Sequence, residues 1–142
     1  MIRQAIDKDI DAISQLCALC QSDNVDKRQM HRHIKHLLNQ DLVSVSVAEL
    51  CGLVAGVVVC QVIPQLGLSG HMGRISTIIV DEPFRDMTLG RQLLVAAEQA
   101  LIARGCDHIE VVPSYHKEDA QSFYMHCGFQ LTPERLIKPL AA

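Results

Sequence analysis

Along the first half of the chain, apolar residues recur either with the spacing of a strand or with the spacing of a helix. The changes between these two spacings predict where its strands and helices lie. Residues 2–5 are predicted to form a short strand, and Asp7 follows as the N-cap of a helix with a regular apolar stripe. The same spacing predicts a second helix over 27–39. Two runs rich in β-branched residues, 42–47 and 53–62, are separated by a short turn and indicate an antiparallel hairpin.

Strands and helices follow one another in the second half. Residues 73–80 are predicted to form a strand, and an amphipathic helix begins near Thr88. A strand over 108–112 comes next, so this strand–helix–strand unit predicts a parallel pair. The end of the chain is predicted to add one helix and two short strands, over 117–126, 128–129 and 135–140.

The composition narrows the class of protein. The chain has 142 residues without repeats or linkers, which predicts one domain over 1–142. Its net charge of −3 argues against a basic nucleic-acid-binding protein. The longest apolar run, near 53–60, is far shorter than the ~18 residues of a membrane span, and the chain starts without an apolar signal core. We therefore expect a cytoplasmic protein with no nucleic-acid partner and no membrane partner.

The six cysteines are predicted to be reduced and mostly buried, because a chain with 49% apolar residues has no need of disulfides to hold its core. Cys17 and Cys20 have the C-x-x-C spacing of some metal and redox sites. They lie within an apolar-periodic helix, however, and no second cysteine pair follows, so packing is the favoured interpretation.

Residues 81–90 connect the 73–80 strand to the next helix and carry the most chemical information. Backbone N–H groups at the start of a helix attract phosphate oxygens, so this turn is suited to binding a pyrophosphate. An ordinary strand-to-helix connection is the alternative, because a single glycine, Gly90, is a weak indication.

Two motifs resemble the hallmarks of the GNAT superfamily of N-acetyltransferases. The first, which resembles the acetyl-CoA signature Arg/Gln-x-x-Gly-x-Gly/Ala, is Ile78-Ile79-Val80-Asp81-x-Pro83-Phe84-Arg85-x-x-Thr88-x-Gly90-Arg91-x-Leu93-Leu94. The second is Ala120-x-x-Phe123-Tyr124-x-x-x-Gly128-Phe129. The two motifs stand in the family's order. The end of the chain is similar to small bacterial members such as aminoalkylphosphonate N-acetyltransferases.

The resemblance implies a mixed α/β (α+β) fold: a mostly antiparallel, splayed sheet of six or seven strands with a parallel central pair, and about four helices. Acetyl-CoA is the implied co-substrate, and no metal is expected. Its pantetheine arm would pair with the backbone of Ile78, Ile79 and Val80. Its pyrophosphate would bind loop amides, which here belong to Arg85, Asp86, Met87, Thr88, Leu89, Gly90 and Arg91.

Tyr124 matches the family residue that helps the CoA thiolate leave. A phenol, with a pKa near ~10, can hydrogen-bond to or protonate a thiolate whose pKa is near ~8.5. The backbone N–H of Val80 would polarise the thioester carbonyl. A tyrosine packed in the core is the alternative interpretation of Tyr124.

Two positions depart from the family pattern. Thr88 replaces the first glycine of the signature, and its β-branched side chain lies where the backbone approaches phosphate closely. Its hydroxyl either contacts the phosphate or weakens CoA binding. Lys117 stands where the family often has asparagine; it either reaches a CoA phosphate or is a solvated helix start.

The acceptor amine needs a base, because an alkylammonium keeps its proton at neutral pH. Glu110 and His116 are candidates, as is His71. Strand alternation predicts that Arg74, Ser76, Ile78 and Val80 share one face of the sheet. Arg74 would then pair with an anionic group of the substrate, with a surface ion pair as the alternative.

Other functions stay open at this point. Direct attack of a small-molecule amine on acetyl-CoA is the favoured reaction, and a GNAT-fold module that binds CoA or a regulatory ligand without turnover is one alternative. The other is a metal-binding protein built on His31, His33 and His36, although a solvated helix face is the favoured interpretation of these histidines. Relatives often form homodimers, but no segment identifies an interface.

Overall fold

The computed structural model describes residues 1–20, 26–66, 70–85, 88–112, 117–132 and 136–140, without the side chains of residues 20 and 117–119. The strands are β1 (Ile2–Gln4), β2 (Val43–Leu50), β3 (Leu53–Ile63), β4 (His71–Val80) and β5 (Cys106–Val111). The helices are α1 (Ile10–Cys20), α2 (Lys27–Leu38), α3 (Leu89–Ala103) and α4 (Lys117–His126). Short 3-10 turns lie at Asp7–Asp9 and Glu82–Phe84. The chain divides into two units, Met1–Val112 and Pro113–Ala142.

The first unit is built on a mixed sheet with the strand order β1-β2-β3-β4-β5. Neighbouring strands are antiparallel except β4 and β5, which are parallel. The antiparallel hairpin and the parallel strand–helix–strand unit are therefore confirmed. The described residues give five strands rather than six or seven, and the parallel pair lies at one edge of this sheet rather than at its centre.

One face of the sheet carries α1 and α2. The helices contribute Ile10, Ile13, Leu16 and Ile34 to a buried cluster with the strand residues Val45, Val47, Val57 and Ile79. The β-branched side chains of the strands suit this layer, because they pack well on a pleated surface. Asp26 caps α2 by accepting a hydrogen bond of 3.0 Å from the Arg28 backbone N–H.

The other face carries α3, which packs closely because two strand residues lack a side chain. A Cβ atom added to Gly56 would lie 3.0 Å from Leu93 Cδ1, and one added to Gly73 would lie 2.6 Å from Leu101 Cδ1. Leu93 and Leu101 are both buried. This packing holds the start of α3 beside the end of β4. Within the described ranges, no helix combines the length and the apolar character needed to cross a membrane.

Three details of the sequence interpretation are wrong. Asp7 does not cap α1: it begins a 3-10 turn, and the carboxylate that accepts the Ile6 backbone N–H, at 2.8 Å, is that of Asp9. Residues 128–129 do not form a strand, because they terminate α4, and residues 136–140 of the last predicted strand are irregular. Residue 135 lies outside the described part of the chain.

The described cysteines include buried and exposed thiols. Cys60 and Cys106 are buried, and Cys51 is exposed. Burial raises the pKa of the Cys60 thiol to about 11 and also raises the pKa of Cys106. These two thiols stay protonated at neutral pH and behave as small apolar side chains.

Candidate active site

The parallel strands β4 and β5 separate before β4 ends. Their register runs from His71 opposite Cys106 to Ile75 opposite Val111, and β5 ends there. β4 continues to Val80 and pairs on its other side with β3. Over 76–80, the described residues therefore place no strand on the β5 side of β4. Such an edge presents backbone N–H and C=O groups that an extended ligand can pair with.

A β-bulge lies at the point of separation. Val59 pairs with Thr77 and Cys60 with Ile75, so Ser76 is the extra residue of β4. Ser76 is exposed, and its hydroxyl donates a hydrogen bond of 3.3 Å to the Val59 carbonyl. A bulge locally bends and twists its strand, and this one comes immediately after the last residue pair of β4 and β5.

The bulge also overturns the predicted alternation along β4. Cross-strand partners share a face of the sheet, so Ile78 and Val80 lie on the α3 face with their partners Val58 and Gly56. Arg74 lies on the opposite face, which carries α1 and α2. The prediction that Arg74, Ser76, Ile78 and Val80 share one face is wrong, because one extra residue reverses the alternation.

Local hydrogen bonds shape the turn that follows β4. The Asp81 carboxylate accepts from the Glu82 backbone N–H at 2.9 Å and starts a 3-10 turn. The Arg85 backbone N–H closes this turn by donating to the Glu82 carbonyl at 3.3 Å, and Arg85 Nε donates to the Val80 carbonyl at 3.2 Å. The backbone N–H of Arg85 is thus used within the turn, and its guanidinium lies at the end of β4.

Thr88 precedes α3 in a left-handed conformation, with φ = 60° and ψ = 15°. This region suits glycine and is costly for a β-branched residue. At the position of the motif's first glycine, Thr88 thus has a backbone conformation that a glycine adopts without strain. Leu89, Gly90 and Arg91 form the first turn of α3, where backbone N–H groups lack partners within a helix and the dipole favours an anion.

Arg74 and Glu110 lie opposite each other on β4 and β5 and form an ion pair. Glu110 Oε1 accepts from Arg74 Nη2 at 2.9 Å and from Arg74 Nε at 3.1 Å. Their side chains are 36% and 40% exposed. The structure thus joins two residues that sequence analysis assigned to separate roles. His71 begins β4, and its buried Nδ1 has no hydrogen-bond partner among the described residues.

Tyr124 lies on α4 in the second unit and is 9% exposed. Its ring makes edge-to-face contacts with Phe123 and Phe129, at centroid distances of 5.2 and 5.6 Å. Burial, and to a smaller extent the Cys127 thiol, raises the pKa of Tyr124 to about 12. The phenol therefore keeps its proton throughout the neutral range and is able to donate a hydrogen bond.

The end of α4 explains the spacing of the second motif. The Gly128 N–H donates to the Met125 carbonyl at 3.1 Å, and the Phe129 N–H donates to the Tyr124 carbonyl at 3.0 Å. Gly128 has φ = 99°. This is a Schellman motif, in which a left-handed glycine ends the helix and the next residue packs back on it. Sequence analysis assigned Gly128 and Phe129 to a strand and missed this arrangement.

Some predicted site residues have no described position. Asp86, Met87 and His116 lie outside the described residues, and Lys117 begins α4 without a described side chain. The described residues contain no group of three or more His, Cys, Asp or Glu side chains that could hold a metal ion. On α2, His31 Nδ1 lies 3.5 Å from the Asp11 carboxylate, and His36 Nε2 lies 3.1 Å from the Gln40 side-chain amide.

Comparisons with known proteins agree with this architecture. An aminoalkylphosphonate N-acetyltransferase from Salmonella typhimurium is 24% identical over 139 residues, which cover 98% of this chain and 90% of that protein. A transcriptional regulator from Bacillus halodurans has a TM-score of 0.83 at 22% identity, with 99% of each chain covered. The aminoglycoside N-acetyltransferase AAC(6')-Iy in complex with CoA has a TM-score of 0.86 at 19% identity, covering 99% of this chain and 93% of that chain.

The model of the acetyltransferase (GNAT) family matches residues 10–129, which is most of the chain. The splayed strand pair, the turn before α3 and the motif around Tyr124 all fall within this match. The chain therefore belongs to the GNAT family of acetyltransferases and is an acyltransferase of that family.

Proposed function

We propose that this protein is an acetyl-CoA-dependent N-acetyltransferase that acetylates the primary amine of a small molecule in a ternary complex. The observation that carries the proposal is the opening between β4 and β5, together with the start of α3 at Thr88, a residue in the left-handed conformation. An open strand edge offers backbone groups that pair with the amides of a ligand. The positive end of the helix beside it binds a diphosphate.

The residues that would hold the co-substrate fall into two groups. Ile78 and Val80 have backbone groups that point away from β3, and they would pair with the pantetheine arm; the backbone groups of Ile79, between them, face β3. The pyrophosphate would lie against the turn, where the amides of Thr88, Leu89, Gly90 and Arg91 and the guanidinium of Arg85 supply donors. Asp86, Met87 and Lys117 are proposed to contribute to CoA binding only because of the resemblance to the family motif.

Acetyl-CoA supplies an acyl group activated as a thioester. The acceptor nitrogen forms the new C–N bond as the C–S bond breaks, and two protons leave the alkylammonium in the whole reaction. One passes to a base, for which we propose Glu110 or, through a water chain, His116, and the other ends on the thiol sulfur. The backbone N–H of Val80 would donate to the thioester carbonyl oxygen.

Tyr124 is proposed to assist the leaving thiolate by hydrogen bonding. Its pKa of about 12 exceeds that of an ordinary thiol, about 8.5, so outright proton transfer from the phenol is unfavourable by more than about a thousandfold. A donated hydrogen bond costs no such transfer, and it stabilises negative charge that develops on sulfur as the C–S bond breaks.

The relatives favour a small acceptor. One is named for aminoalkylphosphonates and another for aminoglycosides, and both names describe small-molecule amines. The net charge of −3 gives no indication of a nucleic-acid partner. A homodimer and a cytoplasmic location stay predictions.

The test combines two measurements on the full-length protein. Isothermal titration with acetyl-CoA is expected to show one saturable site, and a thiol-release assay with a panel of amines is expected to show turnover that depends on the amine. Binding of acetyl-CoA without thiol release from any amine would favour the module that lacks turnover. Absence of binding would refute the proposal.

A further inference from the structure

The Arg74–Glu110 ion pair has the features of a contact that a ligand can replace. Both hydrogen bonds reach the same glutamate oxygen, Oε1, at 2.9 and 3.1 Å. The two side chains are more than a third exposed. An ion pair with this exposure contributes little to folding stability, since water screens it and two long side chains must be held in place. Separating it therefore costs the fold little.

The position of this pair links it to the opening between β4 and β5. Arg74 and Glu110 are opposite each other one position before Ile75 and Val111, where the paired register of the two strands ends. The bulged residue Ser76 follows at once. A cation and an anion therefore lie side by side at the closed end of the opening, on the sheet face that carries α1 and α2.

We propose that an acceptor carrying both an ammonium and an anionic group replaces the internal contact of this ion pair, with its anion on Arg74 and its ammonium on Glu110. This inference rests on the proposed function and names the substrate class for the same site. The preferred acceptor is a zwitterionic primary amine whose two charges are a few bonds apart. The anion is a carboxylate or a phosphonate, since both match the planar donors of an arginine.

The exchange favours zwitterions over other amines because it leaves both protein charges paired. A simple alkylammonium pairs with Glu110 in competition with Arg74, and it has no anionic group to replace the contact that Arg74 loses. A dication adds repulsion with Arg74. The zwitterion also places its ammonium beside a carboxylate, which takes up one N–H proton as the C–N bond forms.

The test compares matched acceptors in the thiol-release assay. β-Alanine and β-alaninamide have the same skeleton and differ in the anionic group, while 2-aminoethylphosphonate tests the second anion and 1,3-diaminopropane the dication. For the wild-type protein we expect kcat/KM for β-alanine or 2-aminoethylphosphonate to exceed that for β-alaninamide at least about tenfold, with diaminopropane the poorest. The better of the two zwitterions identifies the preferred anion.

Variants separate recognition from folding. Arg74→Gln is expected to bring the zwitterion-to-amide ratio close to one, mainly through KM for the zwitterion, and Arg74→Glu is expected to favour diaminopropane. Lys8→Gln removes one positive charge at the other edge of the sheet and is expected to keep the wild-type ratio. Circular dichroism and the affinity for acetyl-CoA establish that each variant is folded.

Three results would overturn the inference. One is a wild-type preference for the amide or the diamine, and another is an Arg74→Gln variant that keeps the zwitterion preference. The third is an equal loss for all acceptors in Arg74→Gln, which would make the pair a purely structural link. In all three, acetyl transfer persists and the proposed function stands. If acetyl-CoA does not bind and no amine releases thiol, both the proposed function and this inference fail.

Discussion

At the scale of single residues, Thr88 is the clearest departure from the family pattern. It holds φ = 60°, in a region that disfavours β-branched side chains by about 1–2 kcal/mol. The rest of the first unit fixes the position of this turn. Leu93 and Leu101 anchor α3 on the sheet after the turn, and β4 leads into the turn from the other side. The fold therefore maintains a glycine-like backbone at a residue that does not prefer it.

Replacing Thr88 with glycine tests what the side chain does. Thr88→Gly removes the strain and the methyl group, while the unfolded chain gains entropy worth about 0.5–1 kcal/mol. We expect a nearly unchanged melting temperature and CoA binding that is about threefold to tenfold tighter by isothermal titration. Thr88→Ala removes the methyl group but keeps the strain, and serves as the control. Weaker binding in Thr88→Gly would show that the hydroxyl contacts the ligand.

Tyr124 is the residue to which we assign the leaving-group step. Its phenol is buried and keeps its proton, because burial raises the pKa of Tyr124 to about 12. Tyr124→Phe keeps the ring contacts with Phe123 and Phe129 and removes only the donor. We expect kcat to fall about a hundredfold while the Kd for CoA stays within about twofold.

A control variant makes the Tyr124 result specific. Phe123→Leu changes a neighbouring ring without touching a polar group and is expected to lower kcat less than Tyr124→Phe does. Unchanged turnover in Tyr124→Phe would remove the phenol from the mechanism and leave Tyr124 as a packing residue.

At the scale of elements, the end of α4 couples backbone geometry to the position of Tyr124. Gly128 ends the helix at φ = 99°, and the Phe129 N–H and ring both contact Tyr124. Gly128→Ala is expected to cost about 1 kcal/mol of stability, because alanine is strained in this conformation. Gly128→Asn is expected to cost less, since asparagine tolerates it. Thermal unfolding checks both, and equal effects of the two substitutions would contradict this explanation.

The connection between β1 and α1 depends on a buried carboxylate. Asp9 is 3% exposed and accepts from Arg3 Nη1 and Nη2 at 2.8 and 2.9 Å. The hydrogen bonds from Arg3 hold the pKa of Asp9 below its usual range. Because this pKa is lower in the folded state, the stabilisation is complete above the ordinary aspartate pKa, about 4, and is lost as pH falls through the lower folded-state value.

Asp9→Asn is therefore expected to lower the melting temperature at pH 7 by about 5 °C. The reason is that it removes a buried charge that accepts two hydrogen bonds from Arg3. The difference from wild type should begin to shrink below about pH 4, where the aspartate of the unfolded chain takes up a proton, and should disappear below the lower folded-state pKa. Asp7→Asn changes an exposed carboxylate of the same 3-10 turn and should have little effect. A difference that is independent of pH would contradict the role of the Asp9 charge.

At the scale of the whole molecule, local patterns predicted most elements, because each depends on neighbours in sequence. The apolar spacing predicted α2 within one residue of its end, and the β-branched runs predicted β2 and β3 as a hairpin. The parallel pairing of β4 and β5 followed from the helix between them.

The features that the sequence pattern could not predict are those set by pairing between strands. Ser76 is one extra residue in β4, and nothing in its neighbours marks it as a bulge; only the register with β3 reveals it. The contact between Arg74 and Glu110 joins residues 36 positions apart and follows from the register of β4 with β5. Gly128 was visible in the motif, but glycine is equally common in turns between strands and after helices.

The most direct measurement is a crystal structure of the protein with CoA. We expect the pantetheine arm to lie along β4 at residues 76–80, on the side away from β3, and the diphosphate to contact the backbone amides that begin α3. Density for CoA on another surface, or a diphosphate held away from Thr88, Leu89, Gly90 and Arg91, would contradict the proposed site.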